Sequence, residues 1–469
     1  MPACPRFMIS AAHKSSGKTV VSTGLAAAFR AAGDDIRTFK KGPDYIDPMW
    51  LAAASGRPCY NLDFNTMTRQ SIAPFLAARA GTGPGTLSLV EANKGLHDGV
   101  CADGSDSNAE LAKLLGLPVV LVIDTLGMTR GIAPLLTGYT AFDHDVNIAG
   151  VILNRVGGAR HEGKLRRAVE TYSDIPVIGS VWRAARLDIG ERHLGLTTPA
   201  ESQGIAKMIA GFADILAQSV DLGRLRRIAA TAPALDAPAA QPPRPPRWPG
   251  LKIGILRDAA FGFYYPDDLE AMEAEGAQLI PIDATRDSAL PRLDGLFIGG
   301  GFPEMRMRQL SDNAALRAAI GDALRAGLPC HAECGGLMYL CESLSWNGTT
   351  LPMVGLIPGR ARMHDRPQGR GYVEFTSTAD CPWQVGHGPV KAHEFHYASI
   401  EGLPEDTVFA RDMRRGSGID GRRDGIVSHN TVAGFCHLRN TAGTPWVPAF
   451  LDFVARAGTG HAQRRRQNL

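Results

Sequence analysis

Four consecutive residues near the start of the chain have the types and spacing of a phosphate-binding loop. A short apolar strand and a loop of small residues precede them, an Ala-rich helix follows, and their order is Ser16, Gly17, Lys18, Thr19. In such loops backbone N–H groups at the helix start hold phosphates, the lysine neutralises them, and the threonine hydroxyl reaches Mg²⁺. The consensus opening glycine is replaced by alanine, but the flanking strand and helix still predict a phosphate-binding loop.

Carboxylates in two later segments could accompany that loop. Asp44 and Asp47 lie three residues apart in segment 39–48, which also carries two lysines and two prolines. Glu91 ends a predicted strand, where open α/β sheets place their ligands. The aspartate pair is consistent with ordinary surface turn chemistry. Because Mg²⁺ prefers hard oxygen ligands and keeps several waters, the functional interpretation is a magnesium site formed by Thr19, Asp44 and Glu91.

A cysteine in the second half of the chain has the setting of a nucleophile. Cys334 ends an apolar strand, and Gly335, a second glycine and an apolar helix follow it at once. A sharp turn of this kind exposes the side chain, and the helix N-terminus is expected to lower the pKa of the thiol. Backbone N–H groups at Gly335, and at Gly300 in a glycine run after another strand, are predicted to form an oxyanion hole.

The base for that cysteine must come from elsewhere in the chain. His437 lies late in the sequence, as is typical of glutamine amidotransferases of the Cys–His type. Many such enzymes carry a glutamate two residues later, where this chain has Arg439. The sequence therefore predicts either a dyad or an orienting group from another segment. His396, in an aromatic strand, is equally consistent with packing and with a role near the site.

The cysteines around the candidate nucleophile also allow simpler interpretations. Cys330, His331 and Cys334 could be part of a metal site, but no second pair at zinc-like spacing accompanies them. Cys341 and Cys436 are most simply small buried hydrophobes.

Short apolar strands that alternate with helix-length segments must position these residues. Eight strands are predicted, at 7–10, 86–90, 119–124, 148–153, 252–256, 279–282, 295–298 and 328–331. Continuous apolar runs of this length are typical of parallel sheets covered on both faces. The sequence therefore predicts an α/β fold with two doubly wound domains, the first with the phosphate loop and the second with the Cys–His pair.

A proline-rich segment separates the two predicted domains. Residues 231–250 contain seven prolines, which favour extended geometry and predict a semi-rigid linker. The domains on either side are predicted at 1–230 and 251–457. The basic tail at 458–469 is expected to be disordered.

Composition and charge exclude several classes of protein. The 469 residues include 50 Lys+Arg and 47 Asp+Glu, a balance too even for a bulk electrostatic grip on nucleic acid or on a membrane. No apolar run approaches the ~20 residues that span a bilayer, and an apolar strand begins too early to leave room for a signal peptide. Eight cysteines are too few for a disulfide scaffold, so we expect reduced thiols and a cytoplasmic location.

Motifs along the chain together resemble the cobyrinic acid a,c-diamide synthase family. They are FKKGPDYIDP at 39–48, GLHDG at 95–99, VVLVID at 119–124, ERHLGL at 191–196, RDAAFGFYYPDDLE at 257–270, IGGGFPE at 298–304, AECGGLMYL at 332–340 and HEFHY at 393–397. The resemblance covers nearly the whole chain outside the linker and the tail. It implies a dethiobiotin-synthetase-like ATP domain joined to a glutamine amidotransferase domain, which together amidate acetate side chains of a tetrapyrrole macrocycle.

The resemblance also implies roles for residues of the first domain. Lys18 would bind the phosphates of ATP, and Asp44 and Glu91 would hold Mg²⁺. Asn154 would contact the adenine, although an ordinary turn role is a close alternative. The residues implied to orient the substrate or its acyl phosphate are Tyr45, Asp47 and Asp98.

For the second domain the resemblance implies glutamine hydrolysis. Cys334 would attack the glutamine amide, His437 would move the proton, and ammonia would pass to a carboxylate that ATP has phosphorylated in the first domain. The implied enzyme is a ligase whose substrates are glutamine and a carboxylate-bearing tetrapyrrole, without nucleic-acid or membrane partners. A homodimer stays an open alternative.

The identity of the macrocycle stays open. Lys94 stands where the family has an apolar residue, and a basic side chain near Asp98 would suit a macrocycle richer in free carboxylates. Sirohydrochlorin or sirohaem is therefore an alternative to cobyrinic or hydrogenobyrinic acid. The chain could also be a cobyric acid synthase, against which GPDYIDP and ERHLGL argue, or a nucleotide-switch ATPase, which would have no use for Cys334 and His437.

Overall fold

The fold was analysed in a computed structural model that describes most of the chain. The described residues are 4–81, 83–187, 189–192, 195–199, 204–235, 244–386 and 388–467. The chain divides into two compact units, residues 1–241 and 242–469. Residues 236–243 of the predicted linker lie outside the described part, so the linker stays a prediction. The His-Leu pair at 193–194 of the ERHLGL motif also lies outside it.

The N-terminal unit is built on a seven-stranded parallel sheet with strand order β3-β2-β4-β1-β5-β6-β7. Its strands are β1 (Arg6–Ala11), β2 (Asp35–Lys41), β3 (Cys59–Leu62), β4 (Thr86–Glu91), β5 (Val119–Asp124), β6 (Ile148–Val156) and β7 (Val177–Trp182). A two-stranded ribbon follows, formed by β8 (Glu191–Arg192) and β9 (Gly195–Leu196). Strands β1 and β4 are buried along their whole length, as is typical of parallel strands that are covered on both faces.

Eight helices belong to the N-terminal unit in the part of it that the structure describes. They are α1 (Lys18–Ala31), α2 (Ile46–Ser55), α3 (Arg69–Ala80), α4 (Asn108–Leu115), α5 (Ile132–Phe142), α6 (Ala159–Tyr172), α7 (Ile205–Ser219) and α8 (Leu222–Ala230). The two buried clusters of the unit lie on opposite faces of the sheet, since alternate residues of β1 and β5 contribute to each. This is the doubly wound arrangement that the sequence predicts.

The C-terminal unit contains a nine-stranded mixed sheet with strand order β12-β10-β13-β15-β24-β23-β22-β19-β20. Its strands are β10 (Lys252–Leu256), β12 (Gln278–Ile282), β13 (Gly295–Ile298), β15 (Cys330–Glu333), β19 (Gly369–Ser377), β20 (Val390–His396), β22 (Phe409–Arg415), β23 (Arg423–Ser428) and β24 (Thr431–Gly434). The five strands from β12 to β24 are parallel, and the remaining pairs are antiparallel.

Smaller elements flank that sheet. The other strands are β11 (Phe261–Phe263), β14 (Gly300–Gly301), β16 (Cys341–Trp346), β17 (Thr349–Pro352), β18 (Ile357–Met363) and β21 (Ala398–Glu401). The helices are α9 (Pro266–Ala274), α10 (Met307–Asp312), α11 (Ala314–Arg325), α12 (Gly335–Leu340) and α13 (Trp446–Gln467). Short 3₁₀ turns occur at Ala185–Leu187 in the first unit and Pro303–Arg306 in the second.

The predicted α/β fold with two doubly wound domains is confirmed, with one difference in the second sheet. All eight predicted strands are present, and the last is shifted by two residues to Cys330–Glu333. The antiparallel half of the second sheet lacks a counterpart in the prediction, because its strands alternate between buried and exposed residues and are not continuous apolar runs.

Helix α13 is assigned from Trp446 to Gln467. The expectation that the basic tail at 458–469 is disordered stays a prediction. Within the described residues, no helix is both long and apolar enough to cross a membrane.

Candidate active site

The loop between β1 and α1 has the backbone of a phosphate-binding loop. Ser15 and Gly17 adopt positive φ angles of 63° and 85°. A Cβ at position 17 would lie 2.3 Å from Nδ2 of Asn154, so only glycine fits there. The Asn154 amide donates a hydrogen bond of 2.9 Å to the carbonyl oxygen of Ser16. In this structure Asn154 therefore holds the loop, and its predicted contact with adenine stays a prediction.

Lys18, the first residue of α1, lies within the loop. Its side chain is buried, and Nζ donates a 2.5 Å hydrogen bond to the carbonyl oxygen of Lys94. Lys94 itself has a positive φ of 41°, and its side chain is exposed. Burial and the nearby ammonium of Lys40 lower the pKa of Lys18 to about 8. A phosphate at this site would therefore meet a lysine whose charge is poorly solvated.

A buried lysine that sequence reasoning missed connects the carboxylates of this unit. Lys40 Nζ lies 2.5 Å from Oδ2 of Asp47 and 2.7 Å from Oε1 of Glu91. The hydroxyl of Thr19 donates to the same Glu91 oxygen at 3.2 Å. Asp44 accepts hydrogen bonds from the backbone N–H groups of Ile46 and Asp47, which places it at the start of α2. The predicted residues Thr19, Asp44, Asp47 and Glu91 thus lie around one ammonium group.

The protonation of this cluster follows from burial and from Lys40. Burial and the neighbouring Asp47 carboxylate raise the pKa of Asp44 to about 7. Burial also raises the pKa of Glu91 above its ordinary value. For Asp47 burial opposes ionisation, but the contact with Lys40 outweighs it, so its pKa is lowered.

The oxygen donors of the cluster suit Mg²⁺ in a site that is completed by other ligands. Oε2 of Glu91 is buried and has no hydrogen-bond partner in the described part of the chain, so a cation could satisfy it. Among the described residues no group of three His, Cys, Asp or Glu side chains is arranged as a metal centre. That arrangement is compatible with Mg²⁺, which usually binds one or two carboxylates together with waters and phosphate oxygens.

Two further residues, Tyr45 and Asp98, are predicted to orient the substrate. Tyr45 is buried beside Asp44, whereas the side chain of Asp98 is exposed. Oδ2 of Asp98 accepts a 3.0 Å hydrogen bond from the N–H of Gly95. Their roles toward a substrate stay predictions.

In the C-terminal unit, Cys334 occupies the sharp turn between β15 and α12. Its φ of 49° and ψ of −99° lie outside the regions that non-glycine residues normally adopt, a cost of about 1–3 kcal/mol that the surroundings must offset. The N–H of Cys334 donates to the carbonyl oxygen of Gly434 at 2.7 Å, which ties the turn to the end of β24. The strained turn that the sequence predicts is present.

The lowered pKa that the sequence predicts for this thiol is not found in the structure. The side chain of Cys334 is only 7% exposed. Burial, with a smaller contribution from the carboxylate of Glu304, raises the pKa of Cys334 above its ordinary value. The helix that follows has only six residues, so burial dominates. The thiol needs a proton acceptor to become a nucleophile.

The glycines around the turn let two backbone segments meet. A Cβ on Gly335 would lie 3.0 Å from the backbone N of Gly301, and one on Gly301 would lie 2.0 Å from the carbonyl oxygen of Ala260. A Cβ on Gly300 would lie 2.6 Å from Cε1 of His437. The predicted oxyanion residues Gly300 and Gly335 therefore lie where side chains would collide with the site, and their N–H roles stay predictions.

His437 follows β24 at the same edge of the sheet. Its Nδ1 lies 3.4 Å from Oε2 of Glu333, and its ring stacks on His393 at a centroid distance of 4.9 Å. Burial and the nearby His437 ring lower the pKa of His393 well below its ordinary value. Glu333 and His393 are residues that sequence reasoning missed, although both lie within motifs of the resemblance.

Arg439, which occupies the position of the usual glutamate, pairs with an aspartate. Nε of Arg439 lies 3.1 Å from Oδ2 of Asp267, and both side chains are buried. The guanidinium also lies over the ring of Tyr265.

The simpler interpretations of the neighbouring cysteines hold. All eight cysteines are free of disulfide bonds, and Cys341 and Cys436 are fully buried. His396 stacks on Phe435 with ring centroids 3.7 Å apart, and its Nδ1 lies 2.8 Å from the carbonyl oxygen of Ala398. These contacts support the packing interpretation of His396, and a role near the site stays a prediction.

Family models match both units. Residues 7–196 match a CobQ/CobB/MinD/ParA nucleotide binding domain, and residues 252–443 match a CobB/CobQ-like glutamine amidotransferase domain. These matches agree with the phosphate loop of the first unit and with the cysteine turn of the second. The first unit is therefore a nucleotide-binding domain, and the second is a glutamine amidotransferase domain.

Curated relatives extend the similarity over nearly the full chain. A protein of Magnetococcus marinus named cobyrinate a,c-diamide synthase is 42% identical, covering 97% of this chain and 98% of its own. Proteins of the same name are 38% identical in Methanosarcina acetivorans, with 98% and 97% covered, and in Archaeoglobus fulgidus, with 92% and 94% covered. Because the similarity spans both domains, the chain belongs to the cobyrinate a,c-diamide synthase family of glutamine-hydrolysing amide ligases.

Proposed function

We propose that this enzyme uses ATP and glutamine to convert the a and c acetate carboxylates of cobyrinic or hydrogenobyrinic acid into amides. The observation that carries the proposal is the presence, on one chain, of the Lys18 phosphate loop and the strained Cys334 turn. A carboxylate is a poor electrophile, and free ammonia is protonated in water, so activation and ammonia release are needed together. The names of the full-length relatives support a cobyrinate-type substrate.

In the first unit the residues are suited to carboxylate phosphorylation. Lys18 would neutralise charge that develops on the transferred phosphoryl group, and the backbone of the loop would hold the other phosphates. Lys40 keeps Asp47 and Glu91 ionised or hydrogen-bonded at the edge of the site. Asp47 and Asp98 would orient the substrate and its acyl phosphate.

The Mg²⁺ that the proposal requires would be held by Thr19 and Glu91, with Asp44 nearby. When bound, it would stabilise negative charge on the phosphate oxygens. The buried Oε2 of Glu91, unpaired within the described residues, supports this assignment. Because the pKa of Asp44 is about 7 before a cation binds, this carboxyl group would release its proton as the site fills.

In the second unit the thiol of Cys334 would attack the amide carbon of glutamine. His437 would accept the thiol proton and then give it to the departing ammonia, leaving a thioester that water hydrolyses to glutamate. The tetrahedral oxyanion would be stabilised by backbone N–H groups at Gly300 and Gly335. The ammonia would react with the acyl phosphate in the first unit and displace phosphate.

Mass spectrometry of the product tests the substrate assignment. Purified enzyme is given ATP, Mg²⁺ and glutamine with cobyrinic acid, hydrogenobyrinic acid or sirohydrochlorin in parallel. We expect conversion of a corrinoid to the diamide, with no further amides added.

Either of two results would overturn part of the proposal. A clear preference for sirohydrochlorin would assign the exposed Lys94 to recognition of a carboxylate-rich macrocycle and would remove the corrin assignment. Amidation beyond the two acetates would indicate cobyric acid synthase chemistry instead.

A further inference from the structure

We propose that Glu333, the residue immediately before the nucleophile, orients His437 and so replaces the glutamate that other Cys–His–Glu amidotransferases carry two residues after the histidine. The two carboxylate oxygens of Glu333 have separate partners. Oε2 lies 3.4 Å from Nδ1 of His437. Oε1 accepts hydrogen bonds from the N–H of Leu438 at 2.8 Å and from Nε2 of His331 at 2.9 Å.

The position of Glu333 in the sheet explains this geometry. In the parallel register of β15 and β24, Glu333 is paired with Gly434, three residues before His437. Glu333 is the last residue of β15, and the segment that follows the neighbouring strand β24 contains His437. The same backbone that places Cys334 in the sharp turn therefore also places the carboxylate next to His437.

The charge state of Glu333 suits this role. It is only 2% exposed, and burial alone would favour its neutral form. The hydrogen bonds from His331 and His437 outweigh burial and hold the pKa of Glu333 well below its usual range. A carboxylate at Nδ1 fixes the ring tautomer, so the other ring nitrogen, Nε2, can take the thiol proton.

The usual position of the orienting glutamate cannot serve. Arg439 stands there, and its guanidinium is directed to Asp267. His331 acts one step further back, because its ring is completely buried, stacks on Phe297 and fixes Oε1 of Glu333. We therefore assign Glu333 as a positioning residue for the glutaminase reaction.

The test measures glutamate release from glutamine, which needs no tetrapyrrole and so does not depend on the macrocycle assignment. Glu333→Gln keeps the size of the side chain and removes its charge. We expect kcat to fall about 10²-fold while KM for glutamine stays within about threefold. Glu333→Asp keeps the charge and should recover to within about tenfold of the parent enzyme.

The pH profile separates positioning from a structural role. The groups that face His437 are Glu333 and the stacked His393. His393 itself lies beside Tyr265, and the positive charge of Arg439 acts on its ring. Loss of the Glu333 charge removes the neighbouring negative charge that stabilises a proton on the catalytic base. The acidic limb of kcat/KM should therefore move to lower pH in Glu333→Gln and stay in place in Glu333→Asp.

Asp268→Asn is the matched control. Asp268 is also a buried acidic residue that holds the same segment, but its hydrogen bonds come from the N–H of Asn440 at 2.7 Å and the indole of Trp446 at 2.9 Å. Its kcat should stay within about threefold of the parent.

Two results would overturn the proposal: Glu333→Gln with nearly parental kcat and an unmoved acidic limb, or equal losses in Asp268→Asn and Glu333→Gln. If Glu333→Gln does not fold, Glu333→Asp decides. Its kcat should then fall by more than about twofold but stay within about tenfold of the parent, with KM retained and Asp268→Asn unaffected, and a parental kcat would contradict the proposal.

Discussion

The two candidate sites lie at the carboxyl ends of parallel strands, yet they handle charge in opposite ways. The first gathers ionisable groups of opposite sign, with Lys40 between Asp47 and Glu91 and Lys18 nearby. The second keeps its nucleophile neutral, because burial raises the pKa of Cys334. Phosphoryl transfer needs charge to be balanced in advance, whereas amide hydrolysis needs a proton to move on demand.

The backbone conformations of the two sites also differ. The phosphate loop bends at Gly17, where a positive φ of 85° costs little. The turn of the second unit places a cysteine at φ 49°, where a side chain is strained. Ser15 of the phosphate loop also has a positive φ, 63°, so strain occurs in both sites, but only in the second is the strained residue the candidate nucleophile itself.

The largest expected effect comes from removing the charge of the first site. Lys18→Ala should lower amide formation about 10³-fold or more with either glutamine or ammonium salts, because both nitrogen sources need an activated carboxylate. Amide formation is followed by mass spectrometry with both nitrogen sources. Lys14→Ala, at an exposed lysine of the same loop, is the control and should remain active. Substantial turnover by Lys18→Ala would remove the phosphate-loop assignment.

Removal of the thiol should affect only one nitrogen source. Cys334→Ser is expected to lose glutamine-supported amidation about 10³-fold or more, while amidation with ammonium salts continues. Parallel assays with the two sources measure the split. Cys330→Ala changes a buried cysteine on the same strand and should leave both activities in place. If Cys334→Ser does not form amides with ammonium salts either, the separation of the two sites into carboxylate activation and glutamine hydrolysis is wrong.

A methyl group added at Gly300 should disturb the second site alone. Its Cβ would lie 2.6 Å from Cε1 of His437, so the ring must shift. We expect about a 10²-fold loss of glutamine hydrolysis with little change in ammonium-supported amidation. At Gly443 an added Cβ meets no atom within 4 Å, so Gly443→Ala is the control. Parental glutaminase activity in Gly300→Ala would place the reacting atoms away from this contact.

The smallest effect expected is a pH dependence of nucleotide binding. The pKa of Lys18 is lowered to about 8, so the residue is charged below that pH and loses its proton above it. If ATP binding requires the charged form, the dissociation constant should rise about tenfold between about pH 7 and pH 9, one unit above the pKa.

Calorimetry with ATP at the two pH values measures this rise. In Lys18→Arg the guanidinium stays charged throughout, so the affinity of a folded variant should vary much less with pH. A parent enzyme whose affinity does not change would show that Lys18 is not the titrating group.

Local sequence was sufficient for the parts of each site that are contiguous. The phosphate loop and the Cys334 turn each combine a strand, a short glycine-containing turn and a helix within about a dozen residues, and the pattern is readable without the fold. Lys40 and Glu333 were not predicted, because their roles depend on the register between strands distant in sequence. Lys40 is paired with Glu91 across β2 and β4, and Glu333 with Gly434 across β15 and β24.

The expectation that the pKa of Cys334 is lowered was wrong for a related reason. A helix start is visible in the sequence, but the depth at which the turn is buried is set by elements far along the chain. The residues that bury it come from several of them, and Phe395, whose carbonyl oxygen lies 4.0 Å from Sγ, is 61 positions away.

The most direct test of the account is the balance between nucleotide consumed and nitrogen transferred. The enzyme is supplied with ATP, Mg²⁺, cobyrinic acid and glutamine labelled with ¹⁵N in its amide, and product and nucleotide are counted in the same reaction. We predict that every new amide carries ¹⁵N and that one ATP is consumed for each. Labelled amides formed without loss of ATP would contradict the coupling of the two units.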